Sequence, residues 1–274
     1  MIDLSRVDPR LLEPIMIVVE ELEAAVGLEP DCVLVVGAGC RDILHAALGH
    51  TFEVRATNDV DLGIAVNDWT VSERIEAKFP RTGTNGIRYR VGGIAVDVMP
   101  FGAIEDPDGI AHPAPRGEDL VVFGFQDVYE RAVRLALPGG AVVRVPQPAG
   151  YAALKMRSWI DRSVYGEDKD AKDLALCTFW YQESTVVHNR LYETDAGFEI
   201  LSAADWDVPV AAARLLGVDV AHQLTPANHD DLLQRWSALD LDTLARSFVL
   251  PAGAQRPMNL ALRRTLAGQL GHVP

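Results

Sequence analysis

The sequence predicts an α/β (α+β) domain followed by a helical domain, within a chain of 274 residues. Strand-like and helical hydrophobic patterns alternate up to about residue 147. After Pro146 and Pro148 only helical patterns follow. We therefore expect a first domain over residues 1–147, in which residues 1–28 hold an N-terminal helix, and a helical domain over residues 148–274.

Composition is that of an ordinary folded protein. Hydrophobic residues make up 49% and charged residues 23% of the sequence, which excludes disordered and collagen-like classes. No apolar stretch approaches the roughly 20 residues of a membrane helix, and the first residues lack a signal-peptide pattern. The sequence has three cysteines, too few for a disulfide framework. We expect a cytoplasmic protein that does not enter a membrane.

The first domain alternates between helix and strand. Asp8 and Pro9 suit the start of its first helix, Gly27 suits the end, and Gly92-Gly93 suits a hairpin turn. Predicted helices cover residues 8–27, 40–48, 68–78 and 126–134. Predicted strands cover residues 32–36, 52–55, 60–66, 87–91, 94–99, 120–123 and 142–145, with a loop over 102–119. The helical domain is expected to contain helices over residues 149–162, 169–183, 185–193, 208–216, 229–241 and 258–270.

A glycine turn, Gly37-Ala38-Gly39, lies between a predicted strand and the helix that contains Arg41. Glycine lets backbone amides at a helix N-terminus approach a phosphate. A dinucleotide fingerprint would have a third glycine where Asp42 stands. The turn therefore indicates either a phosphate site or a plain tight turn.

Three carboxylates lie on two predicted strands. Asp59 and Asp61 alternate with apolar residues, so they share one strand face at a Cα separation of about 7 Å. Asp97 interrupts an otherwise apolar strand and can join that face if the strands pair. Carboxylates this close repel one another unless cations lie between them, and two Mg²⁺ ions fit the spacing. The alternatives are a solvated edge strand for the pair and a paired structural carboxylate for Asp97.

The helical domain carries charged candidates as well. Lys155 lies among apolar residues and could direct its ammonium toward phosphate oxygens. Lys169, Asp170 and Asp173 share one face of the following helix. The alternatives are an exposed helix with ion pairs and a lysine whose stem alone is buried.

Five motifs occur in a fixed order: GAGCRD, ATNDVDLGI, VDVMPFG, LKMRSWIDR and KDAKDL. This set resembles the DNA polymerase β-type nucleotidyltransferases, and more narrowly the AbiEii/MenT-like toxins of bacterial toxin–antitoxin systems. The resemblance covers about residues 30–182, and NRLYE at 189–193 adds to it. It implies a nucleotidyltransferase domain with a mixed sheet, followed by a C-terminal helical domain.

The resemblance also implies roles for particular residues. Gly37, Ala38 and Gly39 would form the nucleotide-phosphate turn, with Arg41 nearby. Asp59 and Asp61 would bind the metal ions, Mg²⁺ or Mn²⁺, and Asp97 would be the third metal ligand and the general base. Lys155 and Asp170 would contact the nucleotide. The departure is Ala38, because the common form of the turn has Ser or Gly there.

The implied reaction moves a nucleoside monophosphate from an NTP to an acceptor. Five basic residues within 18 positions favour an RNA 3′ end, above all tRNA, as that acceptor: Lys155, Arg157, Arg162, Lys169 and Lys172. The net charge of −14 opposes broad nucleic-acid binding. We expect the nucleotide in a cleft between the two domains and, if the chain is a toxin, an antitoxin as partner. The alternatives are transfer to a protein or to a small molecule such as an aminoglycoside, and a non-catalytic nucleotide-binding module.

Overall fold

The computed structural model describes residues 2–57 and 59–271, so Asn58 of the second motif lies outside the described residues. The chain divides into two compact units. The sheet unit contains Ile2–His50 and Arg55–Gln147. The helical unit contains Thr51–Val54 and the chain from Pro148 onward.

A six-stranded mixed sheet forms the centre of the sheet unit, with the strand order β3-β4-β2-β1-β8-β7. Pairs β2/β4 and β1/β8 are parallel, and the other neighbouring pairs are antiparallel. The strands are β1 (Val33–Val35), β2 (Asp59–Val66), β3 (Arg88–Val91), β4 (Ile94–Gly102), β7 (Val133–Ala136) and β8 (Val142–Val145). A separate two-stranded pair consists of β5 (Ile110–Ala111) and β6 (Leu120–Val121). The predicted mixed α/β architecture is confirmed.

Four α-helices accompany these strands within the described part of the sheet unit: α1 (Pro9–Val26), α2 (Gly37–Ala47), α3 (Thr70–Lys78) and α4 (Phe125–Glu130). The sequence signals of α1 act as predicted. The Asp8 side chain accepts a hydrogen bond from the Arg10 amide, and Pro9 occupies the first turn. Gly27 ends the helix with φ of 71°, a left-handed conformation that glycine adopts without strain.

The strand pattern separates a buried face from a half-exposed face at β2 and β4. Val60, Leu62 and Val96 are buried, whereas Asp59 and Asp61 are only partly covered. Asp97 on β4 is also partly covered. Because successive side chains point to opposite faces of a strand, the acidic residues lie on the face away from the buried apolar one.

Two predicted elements of the first 147 residues are wrong. Residues 52–55 form no strand, and Phe52 instead packs edge-to-face on Phe179 inside the helical unit, with ring centroids 5.5 Å apart. The predicted helix over residues 126–134 ends at Glu130, and β7 follows it. β7 pairs with β8 as a hairpin whose turn contains Gly140 at φ of 92°. That turn signal outweighs the helical pattern before it.

The helical unit contains eight α-helices in its described residues. They are α5 (Pro148–Arg162), α6 (Lys169–Glu183), α7 (Thr185–Glu193), α8 (Asp195–Ala203), α9 (Val208–Gln223), α10 (Pro226–Ser237), α11 (Leu241–Ser247) and α12 (Leu260–Gln269). α6 is buried on nearly every face, so it forms the core of the unit. The sequence analysis missed α8 and α11. The helix predicted over residues 229–241 ends at Ser237, and the Asp240 side chain caps α11. No helix in the described residues is long and apolar enough to cross a membrane.

Candidate functional site

Strand pairing brings the three predicted carboxylates onto one face of the sheet. In the parallel pair β2/β4, Asp61 lies directly beside Asp97, and Asp59 precedes Asp61 by two residues. Neighbouring strands are about 4.8 Å apart and alternate residues about 7 Å apart. The carboxylate face, defined here as Asp59, Asp61 and Asp97, is therefore a compact acidic cluster in the sheet unit.

A basic residue that the sequence analysis did not select joins this cluster. Arg88 lies opposite Asp97 in the antiparallel pair β3/β4. Its Nε donates to Asp97 Oδ1 at 2.7 Å, and its Nη2 donates to Asp97 Oδ2 at 2.8 Å. The same Nη2 donates to Asp59 Oδ2 at 2.6 Å. One guanidinium therefore bridges carboxylates from β2 and β4.

The environment of Asp59 favours its charged form. Burial raises the pKa of this carboxyl, but a hydrogen bond from Thr57 and the charge of Arg88 outweigh burial and lower the pKa below its ordinary value. A carboxyl whose pKa is lowered on folding adds stability above its ordinary pKa, and that stability is lost as the pH falls through the folded value. Asp59 is therefore an ionised oxygen donor at neutral pH.

The glycine turn directly contacts this face. Gly37 opens α2 with φ of 60°, and a Cβ atom built there would lie 1.9 Å from Asp61 Oδ2. The Val36 amide also donates to the Asp61 carbonyl at 3.1 Å. Only glycine fits this position, because both the backbone conformation and the approach of Asp61 exclude a side chain. The start of α2 is thereby held against the acidic cluster.

The N-terminus of α2 has the arrangement of an anion site. No side chain caps the helix, and its first helical hydrogen bond runs from the Cys40 amide to the Val36 carbonyl at 3.3 Å. The preceding amides, those of Gly37, Ala38 and Gly39, lie in the first turn, where helical N–H groups lack intrahelical partners. A phosphate oxygen is a suitable acceptor for such amides.

Arg41 lies beside the glycine turn with its side chain buried, and its contact with a nucleotide stays a prediction. Its side chain is only 1% exposed and donates to Asp42 at 2.8 Å and to the Arg55 carbonyl. The guanidinium thus holds the segment that leads to β2, and it presents no surface to a phosphate. In this structure Arg41 is a buried support of the turn.

A cavity of about 370 Å³ opens beside the acidic pair in the sheet unit. It lies beside α1, the start of α2 and β2. Its lining residues are Arg10, Leu11, Pro14, Ile15, Val35, Gly39, Asp42, Thr57, Asp59, Val60, Asp61 and Ile94. The α1 residues and Asp42 were not predicted. A second cavity of about 200 Å³ is lined in part by Tyr89 and Val98. These residues follow Arg88 and Asp97 directly in their strands, so their side chains and the cavity lie on the opposite face of the sheet.

Lys155 and Asp170 lie in the helical unit, where they form a buried ion-pair cluster. Lys155 Nζ lies 2.9 Å from Asp170 Oδ1 and 2.7 Å from Asp173 Oδ2, and its side chain is 11% exposed. Tyr151 donates to Asp173 at 3.1 Å. The cluster joins α5 to α6, and contact of either residue with a nucleotide stays a prediction.

The Lys155 side chain is protonated at neutral pH. Burial lowers the pKa of the ammonium, but Asp173 and Asp170 together raise it above its ordinary value. A lysine whose pKa is raised on folding adds stability that is fully present below the ordinary pKa of about 10.4. That stability is lost as the pH rises through the folded pKa of Lys155.

Replacing Lys155 by Met is expected to lower the free energy of unfolding by about 3–5 kcal/mol, because two buried carboxylates lose their cation. Lys172→Met is the control. Lys172 on α6 forms an exposed ion pair at 2.6 Å with Asp168, the residue before that helix, and such a pair contributes about 1 kcal/mol or less. Urea unfolding of both variants measures the difference. Similar midpoints for the two variants would show that the cluster does not stabilise the unit.

The predicted RNA-binding residues are all ion-paired, to different extents. Arg157 is mostly buried between Asp161 and Asp231. The other three basic residues beside Lys155 are half-exposed: Arg162, Lys169 and Lys172 have 47%, 43% and 44% of their side chains accessible. Three of the five residues therefore remain accessible to a phosphate backbone, at the α5–α6 corner of the helical unit.

The acidic residues of the carboxylate face are candidate ligands for divalent metal ions. Three carboxylates on one face are the oxygen donors that Mg²⁺ prefers. Within residues 2–57 and 59–271, however, no three acidic, histidine or cysteine side chains are positioned to share one ion. Carboxylate oxygens are chemically suited to a hard cation, but Arg88 donates to both oxygens of Asp97 and to one of Asp59.

Comparison with known proteins identifies no family for this chain. No protein-family model matches the chain, and no curated protein matches it.

Proposed function

We propose that this chain is a Mg²⁺-dependent nucleotidyltransferase that moves a nucleoside monophosphate from an NTP to an RNA 3′ end, with tRNA the favoured acceptor. The observation that carries the proposal is the pairing of Asp61 with Asp97, beside Asp59, against the N-terminus of α2 at Gly37. Carboxylate oxygens suited to metal ions and backbone N–H groups suited to phosphate thus adjoin each other. The resemblance to AbiEii/MenT-like toxins supports a role as the toxin of a toxin–antitoxin system, with an antitoxin as partner.

The residues have distinct tasks in this reaction. Divalent cations, when bound, supply positive charge at the attacking and leaving oxygens of an in-line displacement. Asp59 and Asp61 would hold the cations, because both carboxylates adjoin the 370 Å³ cavity. Asp97 binds at the acceptor side and takes the proton of the attacking hydroxyl. The amides of Gly37 to Gly39 orient the triphosphate, which fixes the geometry of attack at the α-phosphorus.

The acceptor proposal depends on the basic corner formed by Arg162, Lys169 and Lys172. The ion pairs of Lys169 and Lys172 are exposed, and exposed pairs contribute so little that phosphate oxygens can replace the acidic partners. Arg162 lies 3.9 Å from the buried Asp170, and its own side chain is 47% exposed. Binding of RNA there would release counterions and weaken steeply with salt. The acidic balance of the rest of the chain confines such binding to a small area.

Ligand-induced stabilisation checks the nucleotide site independently of the acceptor. Adding Mg²⁺ with an NTP should raise the melting temperature, because a ligand that binds only the folded state stabilises it by about 2.7 kcal/mol at 100 times its Kd. Differential scanning fluorimetry with each of the four NTPs measures the shift. Asp61→Asn should abolish it, and an unshifted melting curve for the parent protein with every NTP would contradict the site.

Labelling of a cell extract tests the acceptor. With an NTP labelled at the α-phosphate, label should enter material that ribonuclease degrades and protease does not. Changing Arg162, Lys169 and Lys172 together to Gln should reduce RNA binding and its salt dependence. The matched control replaces three other exposed basic residues of the helical unit by Gln, namely Arg235, Arg246 and Arg264. It should have little effect on RNA binding. Label that survives ribonuclease would replace RNA with a protein or a small molecule as acceptor.

A further inference from the structure

Arg88 and neighbouring side chains donate hydrogen bonds to every carboxylate oxygen of Asp59 and Asp97. Asp97 Oδ1 accepts from Arg88 Nε and, at 3.2 Å, from Asn85 Nδ2, while Asp97 Oδ2 accepts from Arg88 Nη2. Asp59 Oδ1 accepts from Thr57, and Asp59 Oδ2 accepts from Arg88. All four oxygens of the two carboxylates therefore have donors.

The backbone fixes this arrangement. Gly92 and Gly93 form a two-residue turn with φ of 56° and 81° between β3 and β4. That turn sets the register, so Arg88 must pair with Asp97. Asp97 in turn pairs with Asp61 on β2. Arg88 is thus the end of a lateral row across three strands, on the same face as the acidic cluster.

We propose that Arg88 is a tethered counter-ion that competes with the divalent cation for Asp59 and Asp97. A Mg²⁺ ion binds carboxylate oxygens at about 2.0–2.1 Å and demands near-octahedral geometry. A guanidinium bonded to those same oxygens lies within a few ångströms of the ion, where like charges repel strongly. Metal binding therefore requires Arg88 to leave at least one carboxylate. This inference rests on the proposed function, because it concerns the same metal site.

The competition has two measurable consequences. Without metal, Arg88 relieves the repulsion between Asp59 and Asp97, so its loss should lower the melting temperature of the metal-free protein. With metal, its loss should tighten binding on the order of tenfold, because charge-assisted hydrogen bonds no longer have to be broken. A residue that only positioned the carboxylates for the metal would have the opposite effect on affinity.

Binding of Mn²⁺ alone, followed by electron paramagnetic resonance of the free ion, tests the inference without any turnover. Arg88→Gln should bind Mn²⁺ about tenfold more tightly than the parent chain and should melt at a lower temperature in EDTA. Arg90→Gln is the control, since it removes the same charge from an exposed position on the same strand, and it should bind like the parent.

Arg88→Lys is the second variant, for the case that Arg88→Gln fails to fold. It keeps the positive charge and most of the packing but loses the planar guanidinium. It should also tighten Mn²⁺ binding, by less than Arg88→Gln. Unchanged or weaker Mn²⁺ binding in the Arg88 variants, with the parent binding normally, would overturn the competition and leave the metal site intact. Absence of Mn²⁺ binding in all variants would overturn both the inference and the proposed metal-dependent function.

Discussion

Replacing Asp61 by Asn should reduce nucleotidyl transfer by at least about 100-fold, the effect of removing one well-positioned electrostatic group from an active site. Asp61 is the central residue of the carboxylate face, since it neighbours Asp97 in the sheet and Gly37 across the turn. The amide has nearly the same shape as the carboxylate but lacks its charge. Folding should therefore be preserved while metal binding is lost.

The control for this variant is Asp68→Asn in the same unit. Asp68 accepts a hydrogen bond from the Thr70 amide at 2.8 Å before α3, a role that Asn also fulfils. Initial rates of NTP-dependent labelling and thermal melting should be measured for both variants. If Asp61→Asn kept a tenth or more of the parent rate at equal stability, Asp61 would not be a metal ligand in this reaction.

Replacing Gly37 by Ala should damage both the fold and the site. An alanine at φ of 60° costs about 1–2 kcal/mol, and its Cβ would meet Asp61 Oδ2 at 1.9 Å. Asp61 or the start of α2 must then move, so transfer activity should fall further than stability alone explains. Small displacements of reacting groups commonly cost about 100-fold in rate.

Gly39 provides the matched control two residues along. A Cβ there would lie 3.6 Å from Val35 Cγ1, an ordinary van der Waals contact, and no positive φ is involved. Gly39→Ala lies inside α2, so it should leave stability unchanged or raise it by up to about 1 kcal/mol. Equal unfolding midpoints for the two alanine variants would contradict the close approach of Gly37 and Asp61.

The sequence predicted the carboxylate face because its signal is local. Alternation along a strand assigns Asp59 and Asp61 to one face, and a lone acidic residue in an apolar strand is conspicuous at Asp97. The hairpin turn at Gly92-Gly93 also determines that Arg88 pairs with Asp97. That register was readable from the sequence, but Arg88 contacts Asp59 only through the pairing of β2 with β4, which is a long-range property.

Other parts of the site could not be predicted from local patterns. Arg41 follows the glycine turn, yet tertiary packing buries it against Asp42 and the Arg55 carbonyl. Lys155 was identified as partly buried from its apolar neighbours, but its partner Asp173 lies on another helix. Helical spacing places both Asp170 and Asp173 on one face of α6 without showing that Lys155 lies between them.

The most direct test of the central claim compares two labels on the same NTP. The purified chain should be incubated with Mg²⁺, tRNA and an NTP labelled at either the α- or the γ-phosphate, with Asp61→Asn in parallel. We expect the α-label to enter RNA and the γ-label to leave as pyrophosphate, and we expect the variant to transfer neither label. Transfer of the γ-label, or no transfer of the α-label to tRNA, total RNA, protein or small molecules by the parent chain, would contradict nucleotidyl transfer.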